Sequence, residues 1–178
     1  MDLSDDAYFD EEDTAPAHRF DEGLLQAPIS VLSRRIPMVF TEGDSVQTAV
    51  RAMQAEHRGV VLISEDGTRQ SKLTGIFTER DVLLRVVDRG VYPGSICLRE
   101  VMAKNPESLP RTAPVASVLN KMSVGGFRHV PIVDSRGRPV FVVSVRDVVE
   151  YLVDSFPTEI LNLPPEDGPD RYRTKDGA

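Results

Sequence analysis

Apolar residues recur at helical spacing in four stretches of this chain, and short apolar runs lie between them. Val46, Ala49, Val50 and Met53 form one stripe, and Val115, Val118, Leu119 and Met122 repeat it 69 residues later. Val82, Leu83, Val86 and Val87 form a third, repeated 66 residues later by Val148, Val149, Leu152 and Val153. Positions three and four apart share one face of a helix, so each stripe predicts an amphipathic helix with an apolar side to bury. Met53 and Met122 belong to those buried faces. The runs Met38-Val39-Phe40, Val60 to Ile63 and Leu73 to Phe77 are rich in β-branched and aromatic residues and predict strands. Asp66-Gly67 and Ser135-Arg136-Gly137 mark turns, and Gly125-Gly126 ends the preceding helix.

The pattern is therefore duplicated. Pro37 and Pro106 are also 69 apart, and His57-Arg58-Gly59-Val60-Val61-Leu62-Ile63 answers Phe127-Arg128-His129-Val130-Pro131-Ile132-Val133 with an offset of 70. The offset falls to 66 at the end of each unit, which an insertion in the Glu65 to Lys72 loop explains. Each unit reads as strand, helix, strand, turn, strand, helix. Two copies of this length are too few for a solenoid, so two α+β units packed on each other are expected.

Both units close on the same short motif. Thr78-Glu79-Arg80-Asp81 recurs as Ser144-Val145-Arg146-Asp147, each time between an apolar run and an amphipathic helix. A helix N-terminus offers unpaired N–H groups and partial positive charge, both suited to phosphate oxygens. The hydroxyl adds a donor. An ionised Asp accepts two hydrogen bonds, as the vicinal hydroxyls of a ribose require, and Arg80 or Arg146 suits a phosphate. The same residues also form a capping box that stabilises a helix by about 1 kcal/mol without any ligand. Both readings stand, and one set of residues can serve both.

The ordered set of motifs resembles a tandem pair of cystathionine-beta-synthase (CBS) domains, also called a Bateman module. Gly75-Ile76-Phe77-Thr78-Glu79-Arg80-Asp81, Phe141-Val142-Val143-Ser144-Val145-Arg146-Asp147, Arg128-His129-Val130-Pro131-Ile132-Val133-Asp134 and Val101-Met102-Ala103-Lys104-Asn105-Pro106 carry the resemblance. It implies an α+β fold of two repeated β-α-β-β-α CBS units, packed as a pseudo-twofold intramolecular pair. It also implies a ligand such as AMP, ADP, ATP or S-adenosylmethionine in the cleft between the repeats, with no obligatory cofactor, no metal and no catalytic residue. Thr78, Arg80, Asp81, Ser144, Arg146 and Asp147 are the expected ribose and phosphate residues. The strands Val60, Val61, Leu62 and Arg128, His129, Val130, Pro131, Ile132 suit a base slot, and family position adds Phe40 and Thr41 for the first site, Leu109 and Arg111 for the second. A homodimer is implied as well, acting on a separate protein target. The alternative is a protein-interaction or oligomerisation module with vestigial clefts.

The two sites differ. Gly75 opens one strand where Phe141 opens its counterpart, and that ring is expected to fill cleft or inter-repeat space. By the offset of 70, His129 and Pro131 stand where the first unit has Gly59 and Val61.

Charge divides the chain of 178 residues. Residues 1–27 hold nine acids against Arg19, residues 28–156 fourteen acids against seventeen bases, and residues 157–178 five acids against three bases. A slightly basic core thus carries an acidic arm (1–27), expected to be disordered, and a Pro-rich tail (157–178). Repeat 1 is expected at 28–90, a linker at 91–96 and repeat 2 at 97–156. Arg34, Arg35, Arg136 and Arg138 offer some basic surface, but a core of +3 with 6% aromatic residues does not fit nucleic-acid binding. His18, His57 and His129 are scattered and Cys97 is alone, so neither zinc spacing, a catalytic triad nor an intramolecular disulfide is expected. His57 is expected at the surface at a helix end, and His129 either packs or meets phosphate. The start is acidic rather than signal-like and no run is long enough for a span, so a cytoplasmic location is expected, with no membrane contact.

Overall fold

The computed structural model describes residues 22–32 and 35–156. Residues 1–21 of the expected arm and the whole expected tail lie outside the described residues. The chain runs through α1 (Glu22–Gln26), a 3-10 turn (Ile29–Val31), β1 (Val39–Phe40), α2 (Val46–Ala55), β2 (Val60–Ser64), β3 (Leu73–Thr78) and α3 (Glu79–Asp81), which a π-wound segment (Val82–Val87) extends. A second 3-10 turn (Pro93–Ser95) leads to α4 (Leu98–Val101), β4 (Ala103–Lys104), β5 (Leu109–Pro110), α5 (Val115–Gly125), β6 (His129–Val133), β7 (Pro139–Ser144) and α6 (Val145–Ser155). This is the expected mixed α+β class. The expectation of disorder through residue 27 needs correction, because Glu22–Gln26 are helical and α1 lies against α5. The acidic average of the arm masks the apolar pair Leu24-Leu25, both partly buried.

Local chemistry sets the helix ends. Ser45 caps α2 by accepting the Thr48 N–H at 3.1 Å, and Val46, Ala49 and Met53 are its buried residues, as the stripe predicts. Gly126 ends α5 at φ 66°, in the left-handed region that glycine enters without a Cβ penalty.

Four strands form one sheet in the order β1-β2-β3-β4 and three form another in the order β5-β6-β7. β1 runs parallel to β2, as β5 does to β6, whereas β2–β3 and β6–β7 are antiparallel hairpins. Phe40 pairs with Ile63 and Leu109 with Ile132; Thr78 pairs with Val60 and Ser144 with His129. The central strands therefore superpose with an offset of 69, as the helices do, and this corrects the offset of 70 drawn from the sequence. His129 corresponds to Val60, not Gly59, and Pro131 to Leu62, not Val61. Alternation leaves no freedom here, since a slip of one residue turns every side chain to the other face. Val61 and Ile63 enter one core as Val130 and Ile132 enter the other. The fall from 69 to 66 lies in the hairpin loops, residues 65–72 against 134–138, where the insertion was placed. The short loop is closed by Asp134, which accepts from Arg138 Nε at 2.7 Å and from the Arg136 N–H at 2.9 Å; these bonds hold its carboxyl at a pKa of about 2.

Each repeat completes the core of the other. Leu98, Val101 and Met102 lie beyond the linker, yet they pack with Val46, Ala49, Val61 and Phe77. Ile29 and Leu32 open repeat 1, yet they pack with Val115, Val118, Val130 and Phe141 of repeat 2. The exchange is symmetric in its hydrogen bonds: Val46 N–H donates to Ile96 O at 3.1 Å, and Val115 N–H to Ala27 O at 2.9 Å. Packing thus crosses the 91–96 division in both directions. A third, smaller core of Leu62, Leu73, Ile76 and Val142 joins the two sheets.

Phe141 does not enter the space expected of it. It is buried in the core of its own repeat, while the room over Gly75 is taken by Met102, whose Sδ stands 2.5 Å from where a Cβ would be.

Candidate functional site

Both motifs fold as complete capping boxes. Asp81 Oδ2 accepts from the Thr78 N–H at 2.9 Å and from Thr78 Oγ1 at 2.7 Å. Asp147 Oδ2 accepts from the Ser144 N–H and from Ser144 Oγ, both at 2.6 Å. The second oxygens point elsewhere. Asp81 Oδ1 faces Arg85 Nε at 3.3 Å, on its own helix. Asp147 Oδ1 faces Arg35 Nε at 3.5 Å but accepts no hydrogen bond, although the side chain is only 2% exposed. In each carboxylate one oxygen serves the cap and the other lies outside it, facing an arginine.

Two clefts flank these motifs, related by the same pseudo-twofold as the repeats. A cavity of about 400 Å³ lies beside the second motif, lined by Ser144, Val145 and Arg146 together with Pro37, Met38, Arg58, Gly59, Val60 and Leu62 of the first repeat. An open groove of about 1540 Å³ lies beside the first motif, lined by Thr78, Glu79, Arg80 and Asp81 with Pro106, Glu107, Phe127, Arg128, His129 and Pro131 of the second. His57, Arg58, Gly59, Glu79, Arg128 and His129 line both, so the clefts are continuous. The cavity wall carries Arg35, Arg58, Arg128 and Arg146 against the single carboxylate of Glu79, a setting for an anion.

The expected site residues divide accordingly. Thr78, Arg80 and Asp81 line the groove, and Ser144 and Arg146 the cavity. Asp147 lies behind the cavity wall, beneath Arg35, which itself lines it. Val60 and Leu62 line the cavity, Pro131 the groove, and Arg128 and His129 both. Val61, Val130 and Ile132 belong to the cores instead, on the opposite strand face. Phe40, Thr41, Leu109 and Arg111 line neither cleft; Phe40 and Leu109 pack on the cores, and Thr41 Oγ1 donates to Asp44. The chain enters each cleft three residues earlier, at Pro37-Met38 and Pro106-Glu107. The shared spacing of the two prolines was the signal for this. Arg35, Arg58, Glu79 and Phe127 were not foreseen as site residues: Arg35 lies in no motif, and Glu79, Arg58 and Phe127 sit in matched segments whose cleft-facing side the sequence does not mark.

Electrostatics separate the polar groups. Burial pushes the His129 imidazole below its usual range, helped by Arg128 and opposed by Glu79 and Asp147, so it is neutral at pH 7. His57 is exposed at the end of α2 and takes φ 49°. Arg146 Nε donates to Glu150 Oε1 at 2.8 Å, one turn along α6. Among the described residues no cluster of His, Cys, Asp or Glu is arranged to hold a metal ion, and no helix is long and apolar enough to cross a membrane.

Comparison with known proteins places the fold. A CBS domain-containing protein of Arabidopsis thaliana, CBSCBSPB1, is 37% identical over 111 residues, 62% of this chain and 20% of its own. The chain thus spans about a fifth of that relative's length. The CBS domain protein PAE2072 of Pyrobaculum aerophilum, solved in complex with AMP, superposes with a TM-score of 0.64 at 22% identity, over 72% of this chain and 97% of its own. The CBS domain pair of protein MJ0100, solved with 5′-methylthioadenosine and S-adenosyl-L-methionine, gives 0.62 at 23% identity, over 71% and 99%. The sequence pattern of the CBS domain itself matches residues 29–88 and again 98–154, so this chain belongs to the CBS-domain family.

Proposed function

We propose that this protein is a regulatory module that binds an adenosine-containing nucleotide in the clefts between its CBS repeats and thereby modulates a separate protein. The observation that carries the reading is the divided carboxylate. In each motif one oxygen completes the helix cap, and the other, outside the cap and facing an arginine, is the acceptor we assign to a ribose hydroxyl. Val60, Leu62 and Val142 supply an apolar wall for a base in the cavity, and Phe127 and Pro131 in the groove, with arginines alongside for phosphate. The AMP of the Pyrobaculum protein and the adenosine derivatives of MJ0100 support this ligand class. Regulation follows if ligand favours one packing of the repeats, by no more than its difference in affinity for the alternatives. No catalytic role is assigned, because both carboxylates are committed acceptors flanked by arginines, a poor setting for a general acid.

A thermal-shift series with AMP, ADP, ATP and S-adenosylmethionine tests the reading, repeated on Asp81→Ala and Asp147→Ala. Ligand at a hundred times its Kd stabilises by about 2.7 kcal/mol, which raises Tm by about 5–10 °C for a chain of this size. A shift abolished by one of the substitutions establishes a sensor and its site. No shift with any ligand, in folded protein, overturns the reading.

A second reading, a protein-interaction module with vestigial clefts, draws on the exposed apolar residues Leu83, Leu84 and Val87 after the first motif, Val145 within the second and Val149 after it. Leu83 and Val149 are equivalent positions of the two repeats. In our reading the same surface joins two copies in a homodimer, and it serves with the clefts rather than instead of them.

A further inference from the structure

The second cleft holds an unsatisfied group. Asp147 is 2% exposed, and its Oδ1 accepts no hydrogen bond from any described residue. A buried, ionised oxygen without a donor is costly, and Arg35 offsets that cost only in part, from 3.5 Å. Arg35 is held there by Glu150, whose Oε1 accepts from its Nη2 at 3.4 Å and from Arg146 Nε at 2.8 Å. Arg58 fixes the neighbouring backbone by donating to the Ile36 carbonyl. The first repeat has no such arrangement. Asp81 is 15% exposed and pairs with Arg85 of its own helix, which the Val101 carbonyl anchors at 2.7 Å. Tyr151 replaces that arginine in the second repeat, and the counterpart of Arg35 in the first cleft is Lys104, which lies exposed in β4.

We infer that Arg35 is the specificity-determining residue of the second cleft: its guanidinium stands where a ribose hydroxyl must dock on Asp147, so the cleft accepts nucleoside phosphates and rejects uncharged adenosine derivatives. This rests on the reading that the clefts take adenosine-containing ligands. Binding at this oxygen requires an exchange. A ribose reaching Asp147 Oδ1 displaces Arg35 and trades an ion pair for a neutral hydrogen bond. That trade is unfavourable unless the released guanidinium finds another anion. The wall around it already carries Arg58, Arg128 and Arg146 against Glu79, and Glu150, 3.4 Å from Arg35, is shared with Arg146, so the carboxylates at hand are outnumbered. A phosphate supplies the missing anion, and it accepts from Arg35 as the ribose hydroxyl takes its place on Asp147. Adenosine and 5′-methylthioadenosine bring no anion and leave the guanidinium only its share of Glu150.

Calorimetric titration of ATP and of adenosine into the full chain tests this, in an Asp81→Ala background that disables the groove. With Arg35 in place, ATP is expected to bind at least a hundredfold tighter than adenosine. Arg35→Ala should narrow that ratio at least tenfold, with adenosine binding tighter because Asp147 Oδ1 is freed. Glu150→Gln, which keeps Arg35 but removes the second carboxylate it pairs with, should widen the ratio, and it guards against a folding defect in Arg35→Ala. A merely structural role for Arg35 would weaken both ligands together. A ratio unchanged within twofold in both variants overturns the assignment while leaving nucleotide binding intact. If neither ligand binds any variant that unfolds cooperatively, the nucleotide reading of this cleft falls, and the assignment falls with it.

Discussion

His57 and Gly126 end equivalent helices in the same left-handed conformation, at φ 49° and 66°. A Cβ on Gly126 would meet nothing within 4 Å, so its place there is a matter of backbone alone. Gly126→Ala should therefore cost about 1 kcal/mol, and His57→Gly should leave stability unchanged or raise it, because the strained side is now relieved. Urea unfolding of both variants measures this, and a loss in His57→Gly above about 1 kcal/mol would show that its imidazole makes a contact worth more than the strain.

Gly75 and Phe141 occupy one position in the two repeats with opposite demands. Gly75→Ala places a Cβ 2.5 Å from Met102 Sδ inside the core and should destabilise by about 1–3 kcal/mol. Phe141→Ala empties a buried site and should cost about 3–5 kcal/mol. Neither should alter ligand affinity beyond its effect on folding, since neither residue lines a cleft.

The depressed pKa of His129 makes stability pH-dependent. The unfolded imidazole takes up a proton near pH 6.5 while the buried one resists, so more protons bind to the unfolded state in that window. Stability should fall as pH drops through 6.5 toward the lower folded-state value, and level off below it. His129→Val, the residue type of its counterpart Val60, should flatten this segment of a Tm-against-pH profile. An unchanged profile would place the pH sensitivity on another group.

Leu83 and Val149 are 62% and 51% exposed, at matching positions of the two repeats. If they form the seam of a homodimer, Leu83→Glu and Val149→Glu buries charge without a partner and should shift sedimentation from dimer to monomer. A wild-type chain that sediments as a monomer at tens of micromolar would remove this role.

Periodicity made the architecture legible. The four apolar stripes lie on α2, α5, α6 and the segment 79–87, and the hairpin insertion sits where the falling offset placed it. The strand register was harder to read. Identity matching set Arg58 against Arg128, whereas alternation in the folded strands sets Arg58 against Phe127, and only the paired sheet enforces that phase. The motif carboxylates were visible as strings. The partner of Asp147 was not, because Arg35 reaches it from a distant part of the chain and no local pattern encodes that approach. The core exchange escaped for a related reason: Ile29 and Leu32 belong to the first repeat in sequence and Leu98 and Val101 to the second, and nothing local shows that each pair completes the core of the other.

That exchange makes the molecule indivisible. Cutting the chain within 91–96 would leave the first half without Leu98, Val101 and Met102 and the second without Ile29 and Leu32, each core short of its own plug. Neither half is a domain in the sense of a unit that folds alone. The two repeats should unfold in one step, and two separately expressed halves should find each other, each supplying the other's missing segment. A module built this way has no independent arms to move. A disturbance at one cleft would be felt by the lining of both cores, because the segment that closes one begins as the lead-in to the other.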